Sequence, residues 1–126
     1  MKSRLFLTLL FSLLFAYSES EPKLKILQEY AYFGKVKETE RDIRMTVKYT
    51  NTGDSPLYID EIRSNCPCLK AEFSAEALSP GDTTTFTMIY NPLHLGDVYQ
   101  IATLYYNSEN DERPHQNFRV IGEVIQ

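Results

Sequence analysis

The feature that most constrains the fold is a strict two-residue period of apolar side chains in the segment RDIRMTVKY, residues 41–49. Successive side chains of a β-strand point to opposite faces of the sheet, so a period of two places all the apolar ones on one face. A strand with one buried and one solvated face is typical of antiparallel sheets. The apolar positions are Ile43, Met45, Val47 and Tyr49, and the polar ones are Asp42, Arg44, Thr46 and Lys48.

Similar apolar and β-branched segments recur along the chain, separated by turn sequences at a spacing of roughly ten residues. They read PLYIDEI, TTTFTMIY, VYQIATLYY and NFRVIGEVI. The segments between them contain NTGD, LSPGD, NPLHLGD and the charged loop NSENDERPHQ. No amphipathic helix and no internal repeat is visible. The sequence therefore predicts an all-β chain that folds as an antiparallel β-sandwich of about seven strands.

Alternation within these segments also predicts which side chains form the core between the two packed sheets. Ile62 falls out of phase with Leu57 and Ile59, which indicates a β-bulge. The predicted core residues are Ile43, Met45, Val47, Leu57, Ile59, Phe86, Met88, Tyr90, Ile101, Val120 and Val124.

The beginning of the chain has the pattern of a secretory signal peptide. A short basic start precedes the apolar run Leu5–Ala16, and small residues follow at alternate positions. The run has about 12 residues, whereas a membrane-spanning helix needs roughly 20. We therefore expect cleavage after Ser18 or Ser20. The predicted organisation is a signal peptide at 1–20 and one domain at 21–126, exported in soluble form to the periplasm or cell envelope with no remaining membrane span.

The charge of the chain limits the classes of partner. The net charge is −4, and cleavage after Ser18, which removes Lys2 and Arg4, would lower it to −6. The chain contains no run rich in lysine and arginine, which is the usual mark of proteins that bind nucleic acid or anionic membranes. We therefore expect neither nucleic acid nor an anionic membrane surface as a partner.

Four motifs occur in an order that is similar to that of a known family. They are YFGKV, YTNTGDSPLYIDEIRSNCPCLKAEF, LSPGDTTTFTMIYNP and the late FRVIGEV. From about residue 32 to 124 the chain resembles the bacterial domain-of-unknown-function family 1573. The resemblance implies an exported immunoglobulin-like module, of a kind abundant in Bacteroidota and akin to the hydin-type β-sandwich. The family usually has glycine between its two cysteines and threonine after them, where this chain has Pro67 and Leu69.

Cys66 and Cys68 are the two cysteines of the chain, and Pro67 lies between them. Residues i and i+2 of a strand share a face, with Cα atoms roughly 5.5–7 Å apart, and this overlaps the range of a disulfide. An oxidising compartment favours an intramolecular bridge. Closing so small a loop removes little chain entropy, and the fixed φ of Pro67 opposes a relaxed geometry. We expect a strained bridge that mild reductant opens; a structural turn lock or a partly buried thiol pair is the simpler interpretation.

Two chemical roles for the cysteine pair stay open. Two thiolates on one face suit Cu(I), a soft ion, with Met45, Met88 or a histidine as third ligand. Structural zinc sites normally need four protein ligands, which His94 and His115 in separate segments supply poorly, so no metal site is the main prediction. A redox role needs an exposed thiol of low pKa, which the flanking Arg63 and Lys70 would favour.

Other routes to catalysis have little support. No Gly-rich phosphate loop is present. The adjacent carboxylates Asp60 and Glu61 would face opposite sides of a strand. A nucleophile and base formed by Cys66 with His94, or by the second cysteine with the second histidine, stays open as a minority interpretation.

We therefore predict a non-enzymatic, exported binding or assembly module of the bacterial cell envelope, with no cofactor. It would recognise an envelope protein through its sheet edges or loops. The alternative is a periplasmic thiol-redox or copper-handling protein that uses Cys66 and Cys68.

Overall fold

Two four-stranded sheets make up the fold. A computed structural model describes residues 20–108 and 113–126, and no helix is present among them. The predicted signal peptide up to residue 19, and residues 109–112 of the predicted charged loop, lie outside the described residues. The strands are β1 (Leu24–Ile26), β2 (Tyr30–Lys37), β3 (Ile43–Asn51), β4 (Ile59–Ser64), β5 (Leu69–Glu72), β6 (Thr83–Tyr90), β7 (Gly96–Tyr106) and β8 (His115–Ile125).

The strand order is that of a sandwich whose chain passes repeatedly between sheets. Sheet A has the order β1-β3-β6-β5, and sheet B has the order β2-β8-β7-β4. All strand pairs are antiparallel except β2 with β8, which run parallel. The predicted all-β sandwich is thus confirmed, with eight strands in the described part of the chain rather than about seven.

The core lies between the sheets and follows the alternation in the sequence. The rings of Tyr49 and Phe86 in sheet A lie 5.8 Å apart, and Phe118 of sheet B meets Phe86 edge-on at the same centroid distance. All but one of the predicted core residues are buried or packed against the core. The prediction for Ile101 is wrong, because Ala102 and Leu104 take the inward positions of β7 and leave Ile101 on the outer face, 42% exposed.

Asn51 is a fully buried polar residue that joins three segments of the chain. Its Oδ1 accepts hydrogen bonds from the backbone N–H groups of Lys23, at 3.3 Å, and Gly53, at 2.9 Å. Its Nδ2 donates to the carbonyl oxygens of Ser55, at 2.8 Å, and Leu78, at 3.0 Å. The asparagine of the NTGD turn therefore connects that turn to the N-terminal segment and to the LSPGD turn. Its side-chain hydrogen-bonding capacity is fully used, as burial requires.

Gly122 in β8 leaves room for an aromatic ring of the same sheet that contacts the other sheet. The ring of Phe33 from β2 stacks on Tyr90 of sheet A, with ring centres 4.6 Å apart. A Cβ atom at Gly122 would overlap the Phe33 ring. The absence of a side chain at this position therefore makes the space that Phe33 occupies.

The predicted bulge near Ile62 is confirmed in β4. The register between β4 and β7 shifts between Ile59 and Glu61. This shift changes the directions of the neighbouring side chains, and Nη2 of Arg113 lies 3.1 Å from Asp60 Oδ2 and 2.8 Å from Glu61 Oε2. The expectation that the two carboxylates face opposite sides is therefore wrong, because the bulge breaks the strict alternation on which it rests.

Candidate binding surface

The Cys66–Pro67–Cys68 turn lies where the chain leaves sheet B and enters sheet A. Strand β4 ends at Ser64 in sheet B, and β5 begins at Leu69 in sheet A. The structure joins the sulfur atoms of Cys66 and Cys68, whose Cα atoms are 5.1 Å apart. Cys68 is buried and its carbonyl accepts a hydrogen bond from the N–H of Asn91, whereas Cys66 is half-buried. The pair thus fixes the point of crossing between the sheets.

The structure brings only some of the other candidate residues near this turn. His94, in the loop between β6 and β7, lines the same cavity as the two cysteines. His115 begins β8 and lies opposite Tyr105, with ring centres 5.6 Å apart. Met45 and Met88 are buried and paired across β3 and β6. Among residues 20–108 and 113–126, no three His, Cys, Asp or Glu side chains come together as a metal site would require.

The cavity beside the turn opens between the edges of the two sheets, and we call it the slot. Its volume is about 300 Å³. Sheet A contributes Tyr90, and β7 of sheet B contributes Val98 and Gln100, both of which alternate inward with the buried Ala102. The rest of the lining comes from the two cysteines, the loop at 93–95 with its exposed leucines, and Asp97 and Tyr99 of β7.

The outer face of sheet B carries a second, contiguous apolar feature. Across β8, Tyr32 and Tyr99 both lie opposite Ile121, and Tyr30 and Ile101 both lie opposite Arg119. The guanidinium of Arg119 is 6.0 Å from the centre of the Tyr30 ring. We call the set Tyr30, Tyr32, Tyr99, Ile101 and Ile121 the aromatic face.

Most of the aromatic face is open to solvent. Tyr30, Tyr32, Tyr99 and Ile101 are 45, 62, 59 and 42% exposed. Contiguous groups of exposed aromatic and branched apolar side chains are more frequent at interaction sites than on the rest of a monomer's surface. Tyrosine and arginine are also among the residues enriched at protein–protein interfaces.

The opposite end of sheet B is polar and differs in character. Arg113 lies over the ring of Tyr105, 4.1 Å from its centre, while it also contacts Asp60 and Glu61. Hydrogen bonds from Arg63 and then from Arg113 hold the pKa of the Glu61 carboxyl below its usual value. These exposed ion pairs neutralise one another and contribute little stability individually.

A family comparison decides what kind of chain this is. The family model described as a protein of unknown function, DUF1573, matches residues 24–124. The chain belongs to the DUF1573 family. The resemblance carried by the four sequence motifs is therefore confirmed, and the link to hydin-type domains stays a prediction. No curated protein matches this DUF1573 chain.

Solved structures share the fold of the DUF1573 chain at low sequence identity. The ASH / PapD-like domain 7 of human CEP192 has a TM-score of 0.69 and 13% identity, with 87% of this chain and 90% of that domain covered. A protein of unknown function from Porphyromonas gingivalis W83 has a TM-score of 0.67 and 14% identity, with 86% of this chain covered. The DUF1573 chain spans 50% of the length of that protein.

Periplasmic chaperones are among the proteins with a similar fold. The chaperone SfaE has a TM-score of 0.58 and 8% identity, with 82% of this chain and 58% of that chain covered. At such identity the likeness shows the fold alone, and the fold is that of PapD-like domains. In the described part of the DUF1573 chain, no helix has the length and apolar character that crossing a bilayer requires.

Sequence reasoning did not find the aromatic face. The signal was present in VYQIATLYY, where apolar side chains occupy both sets of alternate positions. A strand that is apolar on both faces is expected either in the middle of a protein or under a partner. Packing against the other sheet decides which of the two sets faces the core, and the sequence of the segment alone does not show how the sheets pack.

Proposed function

We propose that this DUF1573 chain is a non-enzymatic binding or assembly module, exported to the bacterial cell envelope, that contacts an envelope protein through sheet B. The aromatic face is the single observation that carries this proposal. A row of tyrosines and isoleucines across β2, β8 and β7 offers a large apolar contact area with little side-chain entropy to lose on binding. The apolar run at Leu5–Ala16 supports export.

Site-specific photo-crosslinking in the producing cell tests the surface. A photoreactive phenylalanine derivative replaces Tyr32 or Tyr99 on the aromatic face, and a matched control places it at Tyr58, which is 46% exposed near the start of β4. We expect discrete adducts from the two aromatic-face positions in the envelope fraction and none from the control. The same adducts from all three positions, or adducts from the control alone, would refute the assignment of the surface. Intact mass of the recovered chain checks loss of the signal peptide in the same sample.

A second candidate function follows from the position of the cysteine pair. Cys66 is half-buried at the slot, which His94 also lines, and this arrangement is the observation that favours a thiol-redox or copper-handling role. Replacing Cys66 and Cys68 with serine separates the two functions. The binding module keeps its crosslinks in this double variant, whereas a thiol or copper protein loses its activity or its metal while the circular dichroism spectrum stays unchanged.

A further inference from the structure

One stretch of β7 has a free backbone edge. Strand β4 pairs with β7 only from Ala102 to Tyr106, because the chain leaves sheet B at Ser64 and crosses to sheet A through the cysteine turn. On that side, within the described part of the chain, Gly96–Ile101 has no neighbouring strand. Alternate N–H and C=O groups of this stretch therefore point away from the sheet and lack a strand partner.

Parts of β3 and β6 also lack a strand on one side within the described residues, since β1 pairs with β3 only at residues 49–51 and β5 pairs with β6 only at residues 87–90, but neither of those unpaired stretches lines the slot. The edge strands themselves are of a kind that resists pairing with another chain. Strands β1 and β5 have three and four residues. Strand β2 has a register shift between Tyr32 and Lys35, and β4 has its shift between Ile59 and Glu61. Short strands and bulges are the usual means by which proteins protect sheet edges. The free stretch of β7 has neither, because its register with β8 is uninterrupted from Gly96 to Tyr105.

The slot lies directly beside this free edge. A strand added along β7 would send every second side chain inward, in line with Val98 and Gln100, into the space in front of Tyr90 and the cysteine pair. Its other side chains would continue the outer face of sheet B next to Tyr99 and Ile101. Backbone pairing and side-chain insertion are thus available together, which is the arrangement that recognition by strand addition uses.

Charge indicates the chemistry of the added strand. Asp97 lies opposite Glu123 across β7 and β8, and Lys35 is 3.9 Å from Glu123. One carboxylate therefore remains unmatched at the edge, and Asp97 forms no ion pair within the described residues. A second copy of β7 would be a poor occupant, because the sequence from 96 to 101 contains no lysine or arginine to place opposite it.

We infer that Gly96–Ile101 of β7 accepts an extended segment of a partner protein as an added strand. The segment carries apolar side chains at alternate positions, which enter the slot, and a lysine or arginine near Asp97. The free stretch accommodates about six residues, or roughly 20 Å of extended chain. The inference rests on the proposed binding function and names the part of the partner that is bound.

Peptides with blocked backbone donors test the pairing. A displayed library of random eight-residue peptides is selected against the full chain, and the best peptide is resynthesised with N-methyl groups at either its odd or its even positions. One form should lose affinity about tenfold or more, through roughly two lost backbone hydrogen bonds, and the other should stay within about threefold. Equal loss in both forms, equal retention, or a library without any binder overturns the inference.

Amide hydrogen exchange locates the bound peptide. Exchange of the N–H groups between residues 96 and 101 should slow when the selected peptide is added. Slowing confined to β2 would overturn the assignment to β7. Slow exchange of the same groups without peptide, in a chain that sediments as a dimer, would also overturn it, because a second copy would then occupy the edge.

Charge reversal tests the chemistry of the partner. Asp97→Lys should weaken binding of a selected lysine-containing peptide by roughly threefold to tenfold. A peptide in which glutamate replaces that lysine should bind the Asp97→Lys variant with the original affinity. Glu76→Lys is the matched control, since Glu76 is exposed in the loop after β5, and it should leave binding unchanged. Equal weakening by both variants would overturn the role of Asp97.

A variant on the aromatic face separates failure of the inference from failure of the proposed function. Tyr32→Glu should abolish the crosslinks from a photoreactive residue at Tyr30, which lies on β2 across β8 from the added strand, and leave peptide affinity within about twofold. Crosslinks that depend on Tyr32, in a chain whose selected peptides fail the N-methyl test, would overturn strand addition while the binding function stands. Peptide binding at β7 without crosslinks from the aromatic face would support strand addition and refute the surface proposed for the module.

Discussion

Replacing the buried Asn51 with leucine, which alters no charge, should be among the most destabilising single substitutions in the chain. Leucine has the same number of side-chain heavy atoms with the same branching, so the change removes hydrogen bonds without creating a cavity. Four bonds are lost, to the backbone groups of Lys23, Gly53, Ser55 and Leu78. At about 1 kcal/mol for each bond, the free energy of unfolding should fall by about 4 kcal/mol. For a domain of this size the melting temperature should fall by roughly 15 °C or more.

Urea unfolding followed by circular dichroism measures this change. Asn117→Leu is the matched control, because Asn117 is exposed on β8 and accepts one hydrogen bond, from Thr103 Oγ1. The control should lose no more than about 0.5 kcal/mol. A loss below about 1 kcal/mol for the Asn51 variant, with an unchanged denaturant slope, would refute the reasoning that these four bonds hold the segments together.

Three further predictions follow from individual contacts. Gly122→Ala should lower the free energy of unfolding by about 1–3 kcal/mol through overlap with the Phe33 ring, and Phe33→Leu in the same chain should restore part of it; purely additive losses would contradict the overlap. The backbone N–H of Glu21 donates a hydrogen bond of 2.7 Å to Asp54 Oδ1 and holds the pKa of that carboxyl below its usual value of 3.8. The ionised Asp54 therefore stabilises the fold above pH 3.8, and this contribution is lost as the pH falls through the lower pKa of the folded state. The acid limb of the stability profile should therefore flatten in Asp54→Asn, and an unaltered limb would contradict this. Thiol titration of protein purified without reductant should find few free thiols at Cys66 and Cys68 and about two after equilibration in glutathione buffer, because so small a loop gains little from closure; two free thiols at the outset, with copper or zinc bound, would favour the metal hypothesis.

Local alternation was enough to predict β3, β4, β6, β7, β8 and most of the core, but it did not mark β1, β2 or β5. In β3 and β6 every second side chain is apolar or large, and the structure buries that set. The phase shift at Ile62 likewise marked the bulge in β4. These features are predictable because each depends on neighbours within a few residues along the chain.

The candidate surfaces depend on segments that are distant in sequence. Ile101 was assigned to the wrong face because β7 is apolar on both sides, and the partner sheet decides which side is covered. The slot needs the cysteine turn, the end of β6 and the start of β7 to meet in space. The free edge of β7 exists because β4 ends at Ser64 and pairs with β7 only as far as Ala102. The sequence of β7 does not show where its neighbour ends, so this edge could not be predicted.

The parallel pairing of β2 with β8 has a consequence for the order of folding. Sheet B is built around β8, which pairs with β2 on one side and β7 on the other, although β2 is made more than seventy residues earlier. Neither β2 nor β7 can be completed as part of the sheet before residues 115–125 have emerged, and such long-range closure is slow. A nascent chain therefore stays loosely folded until late in its synthesis or translocation. Such a delay is compatible with the proposed export of the chain in extended form, and it leaves β2 and β7 unpaired during the interval.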